Sequence, residues 1–124
     1  MKVLMVEDDY FNSQLVFEIL IAQSFKAEIA SDGPEAISMT ENELYDLILM
    51  DIELAKMDGI EATRLIKNKF FYKDIPIIDL TAYASKGDKE RILASGMDDY
   101  ISKPIDIPDF IKKMEEYRIR ERKI

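Results

Sequence analysis

The sequence predicts one α/β domain in which five parallel β-strands alternate with five α-helices. The apolar run Leu47–Met50 is typical of a strand buried on both faces of a sheet, and residues 2–6 form a second, short β-type run. Segments of helical length and turn signals separate these runs from three weaker strands. The chain has 124 residues, 48% of them apolar, which is enough for one core and too few for two. We therefore treat residues 1–124 as a single domain.

The first β–α unit consists of a strand over residues 2–6 and a helix over residues 10–23. One stripe of this helix is apolar and is expected to face the sheet. It comprises Leu15, Val16, Ile19 and Leu20. Phe11, Phe17 and Ile21 lie largely off that stripe, so either they are partly exposed or the helix is buried more deeply than usual.

The second unit begins with a short strand over residues 27–30. The turn Ser31-Asp32-Gly33-Pro34 that follows is typical of a helix start, and the helix is predicted to run to about Glu43. Its apolar positions are Ala36, Ile37 and Met39. The third strand is the central apolar run, which ends at Asp51.

The rest of the chain continues the alternation. Asp58 is a candidate cap for a third helix over residues 60–69. A fourth strand is predicted over residues 75–80, a fourth helix over 86–95 with Gly96 as its C-cap, and a fifth strand within 97–101. The last helix begins at Asp106 or Pro108. Its apolar stripe comprises Phe110, Ile111, Met114 and Tyr117.

Strict β–α alternation with short connections implies a parallel sheet that is covered by helices on both faces. The predicted strand order is 2-1-3-4-5, the flavodoxin-like doubly wound arrangement. In this order a crevice forms at the carboxyl ends of strands 1 and 3, where ligands bind in such folds. These are the two strands that end in acidic residues.

Composition excludes several classes of function. The chain has 17 basic and 25 acidic residues and a formal net charge of -8, which opposes binding to nucleic acid or to an anionic membrane. It contains neither Cys nor His, so thiol and imidazole catalysis and the common zinc sites are excluded. Neither a signal peptide nor a membrane-spanning run is recognisable, and a cytoplasmic location is expected.

Three carboxylates, those of Glu7, Asp8 and Asp51, are expected to converge at this crevice. Such a cluster is self-repelling, and either water solvates it or a hard cation such as Mg²⁺, or Mn²⁺ in its place, relieves the repulsion. Thr81 and Lys103 follow strands 4 and 5 at the same edge. Together these groups supply what phosphoryl transfer requires, with Asp51 as the group that would form an acyl phosphate.

The chain resembles the response-regulator receiver domains of two-component signalling over essentially its whole length. The resemblance rests on five motifs in order. They are Val6-Glu7-Asp8-Asp9, Leu47-Ile48-Leu49-Met50-Asp51-Ile52, Met57-Asp58-Gly59-Ile60-Glu61-Ala62-Thr63, Leu80-Thr81-Ala82 and Tyr100-Ile101-Ser102-Lys103-Pro104.

The resemblance implies that Asp51 is the phosphoacceptor. It further implies that Asp8 binds Mg²⁺ directly, that Glu7 acts through water, and that Glu53 lends its backbone carbonyl to the metal. The phosphoryl oxygens would be contacted by the Thr81 hydroxyl, the Ala82 N–H and the Lys103 ammonium. Tyr100 matches the aromatic residue that moves inward on phosphorylation, and the Lys103–Pro104 bond is expected to be cis.

Two positions depart from the pattern of this family. Ala55 stands where Pro is usual, which leaves the rigidity of the loop after Asp51 in doubt. Asp79 stands in strand 4 where a small apolar residue is usual, so it either has a partner or faces outward. Glu53 and Tyr83 occupy the positions that tune phosphoryl lifetime in the family. We hypothesise that Tyr83 covers the acyl phosphate and slows its hydrolysis; the alternative is an ordinary surface aromatic.

The resemblance also implies the partners. The phosphodonor would be a histidine kinase or a histidine phosphotransfer protein, docking on the first helix through Phe11 and Leu15. A downstream protein would bind the face formed by helix 4, strand 5 and helix 5. No output domain is expected, and the protein is expected to be a monomer, with dimerisation on activation left open. It would catalyse its own phosphorylation and slow dephosphorylation without being an enzyme for other substrates.

Two alternatives remain open from the residues. One is a phosphatase of the haloacid dehalogenase type, in which Asp98 and Asp99 would join Asp51, Thr81 and Lys103. The order of these residues along the chain opposes it. The other is an interaction module on the same fold that is never phosphorylated. The retained acid pair, acceptor and lysine oppose that one.

Overall fold

The computed structural model describes residues 1–54, 57–81, 90, 92–94 and 96–122, with Thr81 and Arg122 described by their backbone alone. Five parallel strands form one sheet in the order β2-β1-β3-β4-β5, so the predicted topology is confirmed. The strands are β1 (Lys2–Val6), β2 (Lys26–Ala30), β3 (Leu47–Met50), β4 (Ile77–Thr81) and β5 (Asp99–Ser102). The helices are α1 (Tyr10–Ala22), α2 (Gly33–Asn42), α3 (Gly59–Lys67), α4, represented by the helical residues 90 and 92–94, and α5 (Ile107–Arg122).

Both faces of the sheet carry an apolar core. Alternate strand residues such as Leu4 and Ile48 pack with Ala62 and Ile66 of α3 on one face. The residues between them, such as Met5 and Leu49, pack with α1 and α5 on the other. This double burial explains why β1 and β3 are continuous apolar runs and lack the alternation of a half-exposed sheet. Both strands are therefore held rigidly where their acidic neighbours emerge.

Aspartates cap the first three helices, as their turn chemistry indicates. The side chain of Asp9 accepts from the backbone N–H of Asn12 at 3.0 Å, and Asp32 accepts from that of Glu35 at 2.8 Å. Asp58, the predicted cap of α3, accepts from the N–H of Ile60 at 2.7 Å. Among the described residues, no helix has both the length and the apolar character to span a membrane.

A short 3-10 turn at Phe70–Tyr72 was not predicted from the sequence. Tyr72 is buried, and its hydroxyl donates to the Glu43 carbonyl at 2.6 Å and accepts from the Tyr45 N–H at 3.1 Å. Phe70 is 86% exposed and Phe71 also lies on the surface. The turn is therefore held by one buried tyrosine, while its two phenylalanines follow no helical or strand pattern.

The structure corrects the expected burial of Leu15 and decides the burial of Phe11 and Asp79, which the sequence left open. Leu15, placed on the buried stripe of the first helix, is 43% exposed. Phe11, off the stripe, is 82% exposed, which decides between the two alternatives left open for it. Asp79 is 0% exposed, so the possibility that it faces outward is wrong.

Of the fourth helix, predicted over residues 86–95, residues 90 and 92–94 are described and are helical, and the other positions lie outside the described residues. Gly96, the predicted C-cap, has a φ of 103°, which is typical of a glycine that ends a helix.

Candidate functional site

Three carboxylates meet at the carboxyl edge of the sheet. The N–H of Asp51 donates to the Val6 carbonyl at 3.0 Å, so the parallel ladder continues one step beyond β3. This places Asp51 beside Glu7 and Asp8, which follow β1. One carboxylate oxygen from each of the three lies within 4.8 Å of the others. Glu7 is 2% and Asp51 6% exposed, whereas Asp8 is exposed.

Lys103 brings a positive charge to this cluster from β5. Its Nζ donates to Asp51 Oδ2 at 3.1 Å and to Glu7 Oε1 at 3.0 Å. The Lys103–Pro104 peptide bond is cis, as expected. Burial lowers the pKa of the Lys103 ammonium, but the hydrogen bonds and charges of Glu7 and Asp51 outweigh burial and leave the pKa raised. Lys103 is therefore a permanent cation at the site.

Glu7 has a strongly perturbed acidity. Burial, and then the hydrogen bond and charge of Asp51, raise the pKa of Glu7 from 4.5 to about 8 despite the opposing effect of Lys103. One ammonium thus does not neutralise the group of carboxylates. In the absence of a cation, Glu7 holds a proton at neutral pH.

The loop after β3 approaches Asp51 closely. The N–H of Glu53 donates to Asp51 Oδ1 at 2.8 Å, so each carboxylate oxygen of Asp51 has one donor. Gly59, at the start of α3, donates its N–H to the Ile52 carbonyl at 3.0 Å. A Cβ on Gly59 would lie 2.2 Å from the carbonyl oxygen of Asp51. Glycine is therefore required where α3 packs against the backbone of the candidate acceptor.

Asn12 is a site residue that the sequence reasoning missed. Its side-chain Nδ2 donates to Glu7 Oε1 at 3.3 Å. Asn12 occupies the third position of α1, one turn after the Asp9 cap, where a polar side chain can reach back over the helix start. The short spacing from the acid pair to this helix start was the signal available in the sequence.

The donor set suits a divalent cation. Oε2 of Glu7 is buried and, within the described part of the chain, accepts no hydrogen bond. It belongs to the same trio of carboxylates that repel one another across 4.8 Å. Mg²⁺ prefers oxygen ligands and keeps several waters, and the exposure of Asp8 leaves one side open to them. Glu7, Asp8 and Asp51 are thus the residues present to hold such an ion.

Of the predicted phosphoryl contacts, the structure describes Lys103 and the backbone of Thr81. Thr81 is the last residue of β4 and pairs in register with Ser102, just before Lys103, so its backbone lies at the correct edge. Its side chain, and all of Ala55, Ala82 and Tyr83, lie outside the described residues.

Strand β5 carries Tyr100, the predicted switch residue. Tyr100 is half-buried and pairs in register with the buried Asp79. Lys113 of α5 donates to the Tyr100 carbonyl at 3.3 Å, and its Nζ lies 5.8 Å from the centre of the Tyr100 ring. Tyr100 therefore connects the sheet to the surface of α5.

Asp98 and Asp99 lie at the opposite edge from Asp51. Asp98 Oδ2 accepts from the N–H of Ile77, the first residue of β4, at 2.8 Å and from Lys67 at 2.9 Å. Asp99 pairs in register with Ile78. A phosphatase of the haloacid dehalogenase type would need these acids beside Asp51, so that alternative is wrong.

Comparison with known proteins agrees with this geometry. The sequence profile of the response regulator receiver domain family matches residues 3–115. The polar-differentiation response regulator DivK of Brucella anthropi is 39% identical over 116 residues, which cover 94% of each chain.

Two solved structures are similar throughout. The receiver domain of a Pseudomonas aeruginosa sensor histidine kinase, solved with a magnesium ion coordinated in its active-site cleft, is 34% identical with a TM-score of 0.86 and covers 94% of this chain and 95% of that one. The Saccharomyces cerevisiae Ssk1 receiver domain, solved with the histidine phosphotransfer protein Ypd1, is 31% identical with a TM-score of 0.86 and covers 94% and 88%.

The family match spans most of the chain, and the curated and structural relatives cover it at more than 30% identity. These similarities agree with the five-stranded topology and with the acidic cluster beside a lysine. The protein belongs to the response regulator receiver domain family of two-component signalling proteins.

Proposed function

We propose that the protein is a phosphorylation switch whose acceptor is Asp51. The observation that carries this proposal is the placement of the Asp51 carboxylate, 3.1 Å from Lys103 Nζ and beside the acid pair Glu7 and Asp8. An anion bound to Asp51 would be surrounded by positive charge once a cation occupies the acid cluster. Positioning and charge neutralisation are the main requirements of phosphoryl transfer.

In the reaction, a carboxylate oxygen of Asp51 attacks the phosphorus of a phosphohistidine. The O–P bond forms as the N–P bond breaks, and the imidazole nitrogen leaves with the bonding electron pair. Mg²⁺, or Mn²⁺ in its place, would be held by Asp8 directly, by Glu7 through water and by Glu53 through its backbone carbonyl. When bound, this ion neutralises charge on the phosphoryl oxygens. Lys103 pairs with one of the same oxygens and needs little movement from Asp51 Oδ2.

The remaining phosphoryl contacts come from the end of β4. The hydroxyl of Thr81 and the N–H of Ala82 donate to phosphoryl oxygens. Movement of Thr81 toward the phosphoryl group lets Tyr100 turn inward and changes the surface formed by α4, β5 and α5. The chain thus catalyses its own phosphorylation and its own slow dephosphorylation, and its output is a protein contact.

Intact-protein mass spectrometry tests the assignment. Incubation with Mg²⁺ and acetyl phosphate should add the mass of one phosphoryl group to the wild type. Asp51→Asn should add none, while Asp74→Asn, at an exposed carboxylate elsewhere, should behave as the wild type does. An unmodified wild type under conditions that phosphorylate another receiver domain would favour the interaction module that is never phosphorylated.

Glu53 and Tyr83 are assigned the role of tuning the lifetime of the phosphoryl group on Asp51. An aromatic side chain over the acyl phosphate would exclude the attacking water, so we expect phospho-Asp51 to decay faster in Tyr83→Ala than in the wild type. Loss of the phosphoryl mass with time after removal of the donor measures this rate. Equal decay in the two proteins would show that Tyr83 is an ordinary surface aromatic.

The partners follow from the same proposal. A histidine kinase or histidine phosphotransfer protein donates the phosphoryl group and docks on α1, where Tyr10, Phe11 and Leu15 are exposed large apolar residues. The yeast complex with a phosphotransfer protein supports this class of donor. The downstream target binds the α4–β5–α5 face. The protein acts in the cytoplasm as a monomer. It makes no nucleic-acid or membrane contacts, with which its net charge of -8 is consistent.

A further inference from the structure

The two carboxylate oxygens of Glu7 have different surroundings. Oε1 accepts from Lys103 Nζ at 3.0 Å and from Asn12 Nδ2 at 3.3 Å. Oε2 is buried and accepts no hydrogen bond from the described residues. Once Glu7 is ionised, a buried carboxylate oxygen without a donor is costly unless a cation or a water on that cation faces it. The two donors to Oε1 therefore leave Oε2 as the oxygen of Glu7 that can face a cation or its water.

Lys103 cannot be the lasting donor to Oε1. It is shared between Glu7 and Asp51, and under the proposed function it pairs with a phosphoryl oxygen once Asp51 is modified. Asn12 has no such second role. Its backbone N–H is bound by the Asp9 cap at 3.0 Å, which holds the residue at the start of α1 with its side chain toward Glu7.

We propose that Asn12 is a positioning residue for the cation site: its carboxamide holds Glu7 Oε1 and so directs Oε2 toward the bound ion. This inference rests on the proposed function, because it assigns Glu7 to the cation. An amide suits the role because it donates without charge. A Lys or Arg at this position would cancel part of the negative charge that attracts the cation, and an apolar residue would leave Glu7 free to rotate.

Asn12 is also accessible to substitution. It is half-buried and, together with Leu15, Lys103, Pro104 and Ile105, lines a surface groove of about 440 Å³ next to the site. Because this groove adjoins the surface assigned to the phosphodonor protein, a protein donor would mix two effects. A small-molecule donor and direct metal titration avoid that ambiguity.

The test compares Asn12→Leu, which keeps the approximate shape and removes the donor, with Asn12→Ala and the wild type. Calorimetric titration of the unphosphorylated proteins with Mg²⁺ should give a dissociation constant about tenfold higher in both variants. With acetyl phosphate, the Mg²⁺ concentration for half-maximal phosphorylation should rise by the same factor, while the rate at saturating Mg²⁺ stays near that of the wild type. Asn42→Leu, which removes an exposed amide from α2, is the matched control and should change neither quantity.

Circular dichroism and the unfolding midpoint in EDTA show that the variants are folded. An unchanged Mg²⁺ dissociation constant in Asn12→Leu and Asn12→Ala would overturn the inference. A loss of the saturating rate without a change in Mg²⁺ dependence would overturn it as well, because Asn12 would then act on the chemistry. If the wild type itself is not phosphorylated, the proposed function fails, whereas the titration of Mg²⁺ still decides the role of Asn12.

Discussion

Glu7 places a buried carboxyl group beside the Asp51 carboxylate, and the Lys103 ammonium donates to both. Its pKa is raised to about 8, first by burial and then by Asp51. A cation that binds the cluster must therefore displace a proton from Glu7 at neutral pH. Metal binding and proton release are coupled through this one residue.

The coupling predicts that Mg²⁺ affinity increases with pH. Below the folded pKa of about 8, the metal-free protein holds a proton on Glu7 that leaves when the metal binds. Apparent affinity should thus rise by up to about tenfold per pH unit below pH 8 and level off above it. Calorimetric titrations with Mg²⁺ at a series of pH values measure this. Glu7→Gln should show weaker binding with a flatter profile, and a flat profile in the wild type would contradict the prediction.

The residue-level chemistry could be predicted only in part. Glu7, Asp8, Asp51 and Lys103 were found because each directly follows a strand, and parallel strands end at a common edge. Asn12 was missed because its one signal, the short spacing from the acid pair to the helix start, does not distinguish a side chain that reaches back to Glu7 from one that faces solvent. The burial of Asp79 was left open because acidic residues are rarely buried, whereas its position within an apolar strand favours burial.

At the scale of elements, α3 and the loop before it depend on one close backbone approach. A Cβ on Gly59 would lie 2.2 Å from the Asp51 carbonyl oxygen and 2.6 Å from Ile52 Cα. Both atoms belong to the backbone that carries the acceptor, so no side-chain rotation relieves the contact.

We therefore expect Gly59→Ala to disturb the site as well as the fold. The free energy of unfolding should fall by about 1–3 kcal/mol, and phosphorylation of Asp51 by acetyl phosphate should slow. Glu61→Ala changes a half-exposed residue two positions further along α3. It should affect both quantities much less, since the ion pair of Glu61 with Arg64 lies on the surface. Denaturant titration and intact-protein mass spectrometry measure the two quantities. Wild-type stability in Gly59→Ala would show that the loop adjusts without cost.

Helix α1 presents large apolar side chains to solvent, and Phe11 is 82% exposed. If α1 receives the phosphodonor protein, Phe11→Ala should slow phosphotransfer from a histidine phosphotransfer protein and leave phosphorylation by acetyl phosphate unchanged. Phe70→Ala is a matched control, because Phe70 is equally exposed but belongs to the turn that precedes β4. Equal effects of the two substitutions on phosphotransfer would contradict the prediction that the phosphodonor protein docks on α1.

The elements themselves were largely predictable because their signals are local. Apolar runs predict β1 and β3, and capping aspartates mark the starts of α2 and α3. The exceptions depend on contacts between distant segments. Tyr72 forms its 3-10 turn by bonding to residues 43 and 45, nearly thirty positions earlier. Leu15 lies at the edge of the buried stripe, where helical spacing alone does not decide exposure.

At the scale of the whole molecule, the topology concentrates negative charge. The chain carries a net charge of -8, and the order β2-β1-β3 brings three of its carboxylates within 4.8 Å at one edge. The two-sided core holds β1 and β3 in place, so the cluster cannot relax by moving apart. Stability and metal occupancy must therefore be linked.

This linkage predicts that Mg²⁺ stabilises the folded protein. A ligand that binds only the folded state adds about 2.7 kcal/mol at a hundredfold excess over its dissociation constant, which corresponds to a rise of roughly 10 °C in the unfolding midpoint. Asp8→Asn should abolish most of that rise. Because the substitution also removes one of the repelling charges, the midpoint of Asp8→Asn in EDTA should be no lower than that of the wild type. Asp74→Asn removes an exposed carboxylate away from the cluster and should keep the full response. Thermal unfolding followed by circular dichroism, with and without Mg²⁺, makes the comparison. A rise of equal size in Asp8→Asn would mean that Mg²⁺ acts on the overall charge of the molecule and not at the acid cluster.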